Sequence, residues 1–104
     1  MTDEDKVREE ILGRTAEAMR LTGHSFYGLR TAVREDGAIA TTRRLIDPEG
    51  DAKFQFGIRE LKKAGLLHLS VEKVVIDFGV KGEIFTAEEV KAANERLAMA
   101  ELVL

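Results

Sequence analysis

Residues 70–85 read Ser70-Val71-Glu72-Lys73-Val74-Val75-Ile76-Asp77-Phe78-Gly79-Val80-Lys81-Gly82-Glu83-Ile84-Phe85, and they decide whether the chain is helical throughout. Ser70 suits a helix N-cap, Val71, Val74, Val75 and Phe78 recur with helical spacing, and Gly79 is a natural stop. The same stretch suits strands: Val74-Val75-Ile76 and Val80 to Phe85 could pair as a hairpin turning through Lys81-Gly82. Helix is the preferred reading for 71–78. A small β-hairpin around residues 74–85 is the alternative.

On the C-terminal side, Thr86 with Glu89 three positions later forms a capping-box pattern, which opens a last helix reaching about Glu101. On the N-terminal side, Leu66 to Leu69 is a short apolar connector. Before it, a helix from about Ala52 to Ala64 carries Phe54, Ile58 and Leu61 and ends at Gly65. Asp47-Pro48-Glu49-Gly50 is the clearest loop. Further back lie helices from about Ala38 to Ile46 and from about Ser25, read as a cap, to Asp36, with Gly37 between them. The first helix, about Thr2 to Leu21, starts at Thr2 or Asp3 and stops at Gly23. The expected fold is all-α, a compact bundle of five or six short helices in one domain spanning residues 1–104.

Composition narrows the function classes. The 104 residues are 44% apolar and 34% charged, enough to bury one core and too few for two. With no cysteine there are no disulfides, thiolate metal sites or cysteine nucleophiles. No apolar run is long enough to span a membrane, and the acidic start Met-Thr-Asp-Glu-Asp-Lys does not resemble a secretory signal, so a soluble cytoplasmic protein is expected.

Catalytic motifs are sparse. His24 and His68 lie in separate connectors without metal-ligand spacing, and Ser25 beside His24 has no GxSxG elbow. Neither phosphate-cradling glycine motif, GxxxxGK[ST] or GxGxxG, occurs. Neither a cofactor nor a metal is expected, and the chain reads as non-enzymatic. A pocket lined by His24 or His68 with several carboxylates would strengthen the enzyme reading.

The net charge of −3 is unevenly spread: residues 1–13 sum to −3, 14–63 to +3 and 64–104 to −3. An anionic partner would therefore meet the basic middle. There Arg30 and Arg34 sit on one helix, and Thr41-Thr42-Arg43-Arg44 gives the next a polar side. The outline is that of a helix-turn-helix corner at residues 25–46. Against this, Arg43 stands where such a corner needs an apolar residue, and the flanks are acidic. Nucleic-acid binding through Arg30, Arg34, Arg43 and Arg44 is thus the second reading.

The first reading is a protein partner or a second copy of the chain. Val90, Ala93, Leu97, Ala100 and Leu104 follow a heptad-like row over two repeats, too short for a coiled coil alone. The apolar Leu102-Val103-Leu104 must either fold back or meet a partner.

Several of these segments together resemble a small helical module found in many bacterial proteins. They are Gly37 to Ile46, Gly57 to Leu61, Leu67-His68-Leu69-Ser70-Val71-Glu72, Ile84-Phe85-Thr86 with Glu88-Glu89, and Arg96-Leu97. Two places depart from it: Gly65-Leu66 replaces a Gly-Arg step, and Lys81-Gly82-Glu83 stands where aromatics are common. The module has no assigned activity, so the resemblance implies no catalytic residue. Its attachment to diverse proteins suits an adaptor or interaction role. Physically, these residues set how helices begin: Leu67 and Leu69 enter the core before the Ser70 cap, and Phe85 takes the staple position before Thr86.

Overall fold

The computed structural model describes residues 1–47, 49 and 55–103, apart from the side chains of Gln55 and Phe56. Pro48 and Gly50 of the expected loop, the expected helix start at Ala52 with Phe54, and Leu104 lie outside the described residues. Among those described there are six α-helices: α1 (Asp3–Thr22), α2 (Tyr27–Asp36), α3 (Ala38–Ile46), α4 (Gln55–Lys63), α5 (Val71–Val80) and α6 (Ala87–Val103). Among the described residues a 3-10 turn, Leu67–Leu69, precedes α5, and no strand occurs.

The contested stretch is therefore helix, and local chemistry shows why. Ser70 Oγ accepts from the Lys73 amide at 3.1 Å, which starts α5. Val74 and Val75 are completely buried, and burying each side chain is worth about 1.5–3 kcal/mol, more than the β preference of valine opposes. Gly82, the residue expected to turn a hairpin, instead ends the helix with φ 72°. The Gly82 amide donates to Gly79 O at 2.9 Å and the Glu83 amide to Phe78 O at 3.0 Å. That pair of bonds is the Schellman arrangement, which suits a residue free to adopt left-handed φ. Gly79 does not stop the helix, which runs on to Val80.

The other ends follow similar rules. Thr2 with Asp5, and Thr86 with Glu89, form reciprocal capping boxes. Gly65 closes α4 by the same two-bond arrangement, its own amide to Lys62 O and that of Leu66 to Leu61 O. The start of α2 differs from expectation. Phe26 adopts a left-handed conformation (φ 48°, ψ 38°), so the helix begins at Tyr27 and Ser25 is not its cap. The Ser25 carbonyl instead accepts from Arg30 Nε at 2.8 Å.

One helix end is capped from a distance. The N-cap of α3 is Gly37, which has no side chain to offer. Glu4 of α1 fills the role: its carboxylate accepts from the amides of Ala38 at 2.5 Å and Ile39 at 3.1 Å. An anion at a helix N-terminus satisfies orphan N–H groups and the dipole together. The core lies between α1, α3, α5 and α6, around Val7, Ile11, Ile46, Val74, Val75 and Ala93.

Candidate interaction surface

The heptad-like row on α6 mostly faces the chain's own interior. Ala93 and Ala100 are buried, and Val90 and Leu97 are half-buried, while Leu104 lies outside the described residues. Val90 packs over Gly79 of α5 so closely that even a methyl group at residue 79 would overlap its Cγ2. The spacing that suggested a partner seam is here largely an internal one.

A neighbouring stripe of the same helix points outward. Met99, Leu102 and Val103 are 58%, 83% and 67% exposed, and their i, i+3, i+4 spacing puts them on one face. Lys62, in the last turn of α4, donates from Nζ to Glu101 O at 3.1 Å. It supplies positive charge to a helix end that has no base in its own last turn, and so pins the stripe in place.

The arginines of the nucleic-acid reading sit on α2 and α3, and three of them are bonded within the chain. Arg43 Nε meets Glu89 at 2.7 Å and also stands over the Phe85 ring; Arg44 pairs with Asp36 at 3.1 Å. Arg30 is held by Ser25 O, while Arg34 is exposed on α2. Thr41 and Thr42 do not form a polar reading face. Both are fully buried, with hydroxyls donating to Ala32 O and Ala38 O. A single residue, Gly37, joins α2 to α3, where a helix-turn-helix uses a turn of about three or four.

Glu72 carries a pairing that sequence reading missed. It is buried in the first turn of α5 and accepts from Arg96 Nε of α6 at 2.8 Å. The histidines remain apart. His68 is exposed, whereas His24 Nε2 meets Glu60 at 2.8 Å, and these two line a cleft with Glu35, Asp36 and Glu72. That is the kind of pocket that would favour an enzyme, although Asp36, Glu60 and Glu72 are each already paired with a base. Among the described residues, no three His, Asp or Glu side chains are grouped to hold a metal ion.

Two carboxylates that tie helices together have lowered pKa values. Burial pushes Asp77 upward, but hydrogen bonds from Arg14 and Lys73 outweigh it and hold the carboxyl below its ordinary 3.8. For Glu89 burial again opposes, and the Thr86 amide and Arg43 prevail, holding it below 4.5. A carboxylate with a lower pKa folded than unfolded adds stability above the unfolded pKa and loses it as pH falls through the folded one. The thermal midpoint should therefore stay level from about pH 7 to 5 and fall below about pH 4. Asp77→Asn and Glu89→Gln should lower the neutral-pH midpoint and flatten that acid limb, as circular dichroism melts across pH would show. Parallel wild-type and variant curves would contradict the assignment.

Comparison of the chain with protein-family models, curated proteins and solved structures gave no match.

Proposed function

We propose that this chain is a non-catalytic helical interaction module that docks through the exposed end of α6, with a second copy of itself as its first partner. The observation that carries this reading is the outward stripe of Met99, Leu102 and Val103. Large apolar side chains grouped on one helix face gain by leaving water, and pairing two copies face to face buries both stripes. The stripe is small beside the ~800 Å² per partner of a standard interface, so a reversible, concentration-dependent dimer is expected. No described helix is long and apolar enough to cross a membrane.

Size-exclusion chromatography with light scattering tests the proposal. The wild-type mass should rise with concentration, and Met99→Glu with Leu102→Glu should hold the chain monomeric without changing its helicity. A wild type that stays strictly monomeric at high concentration would overturn self-association.

A further inference from the structure

A cleft of about 660 Å³ lies within the size range of small-molecule sites. It opens because α4 packs on α6 and the 3-10 turn while α2 packs on α3, leaving a gap between these two pairs. Leu29, Leu45, Ile58 and Val71 contribute to an apolar floor. Around it stand four carboxylates, Glu35, Asp36, Glu60 and Glu72, against one guanidinium, Arg44. Arg44 is already bonded to Asp36, and His24, also on the wall, meets Glu60 at 2.8 Å. Arg96 and Lys63 reach Glu72 and Glu60 without lining the cleft, so Glu35 is the carboxylate of the four with no ion pair among the described residues.

Aromatic rings complete the wall. Phe26 is held in its left-handed conformation, a costly one for a bulky residue, with its ring edge-on to His24 at 6.2 Å between centroids. Gly57 leaves room on the facing helix: a Cβ there would lie 3.8 Å from Phe26 Cδ1. Tyr27, 69% exposed, lies next along the wall.

We propose that this cleft binds a small organic ammonium with an apolar body. The body would replace water on the floor, and the charged head would sit among the carboxylates and aromatic faces, which attract cations. An anion of the same shape would meet those carboxylates and find its natural partner, Arg44, already engaged. This inference stands apart from the self-association reading and uses different residues.

Tyr27 is the only tyrosine in a chain without tryptophan, so its fluorescence reports on this site alone. Three transparent probes of one shape separate charge from shape: cyclohexylmethylammonium, cyclohexylmethanol and cyclohexylacetate. The ammonium should give a saturable change in Tyr27 emission, with amide shifts at Gly28 and Gly57. The carboxylate should bind at least about tenfold more weakly, with the alcohol between. Glu35→Gln, at an exposed position that leaves the fold intact, should weaken the ammonium about fivefold, and adding Glu60→Gln should weaken it further. No saturable response up to ~10 mM, equal affinity for all three probes, or unchanged ammonium affinity in Glu35→Gln would each overturn the proposal.

Discussion

Replacing Arg96 with Met should cost about 3–5 kcal/mol of stability, the largest loss expected from any one surface-reaching side chain here. Glu72 is 2% exposed and receives the Arg96 guanidinium at 2.8 Å. Removing the partner leaves a carboxylate buried without a counter-charge, and desolvation is then no longer offset. For a domain whose total stability is about 5–15 kcal/mol, the thermal midpoint should fall on the order of 15 °C or more. Exposed pairs such as Arg8 with Asp5 differ, because solvent screens them and their net worth is about 0–1 kcal/mol. The double substitution Glu72→Met with Arg96→Met should be much milder than Arg96→Met alone, because neither charge remains buried. Melts of the two variants and of Glu72→Met would give the coupling. If Arg96→Met lost under about 1 kcal/mol, the pair would not be buried in solution as described.

The same pair shows where sequence reading ends. Thr2, Ser70 and Thr86 were legible as caps because their chemistry is complete within three or four residues, and Gly23 and Gly65 as stops for the same reason. Glu72 was legible only as an acid in a first turn; that its partner lies 24 residues away depends on how α5 meets α6. Glu4 capping α3 across 34 residues was equally hidden. Thr41 and Thr42 looked like a polar face because threonine is usually exposed. A hydroxyl that donates to a nearby carbonyl needs no water, so both could be buried. The cleft has no signature of its own, since its floor and rim come from residues scattered over five helices. The outward stripe was half legible: Leu102 and Val103 stood out, while Met99 emerged only with the orientation of α6.

That orientation rests on Gly79, where two rules predict opposite signs. Helix propensity alone says Gly79→Ala should stabilise an internal helical position by about 1 kcal/mol. Packing says the reverse, because the new methyl would overlap Val90 Cγ2 and come within 3.4 Å of its Cβ. Overfilling a close-packed contact typically costs about 1–3 kcal/mol, and the valine has little freedom to move because χ1 of a β-branched side chain in a helix is nearly fixed. Sterics should therefore win, leaving Gly79→Ala less stable than wild type by about 1–2 kcal/mol in denaturant unfolding. Val90→Ala alone should also destabilise, by removing buried methyl groups. Combined, the two changes should cost clearly less than their sum, by about 1 kcal/mol or more, since the space vacated at residue 90 receives the methyl added at residue 79. If Gly79→Ala instead stabilised the fold, α5 and α6 would have to lie farther apart than described. The α6 face left for a partner would then have to be redrawn, because the approach at Gly79 is what commits Val90 and Ala93 to the interior and turns Met99, Leu102 and Val103 outward.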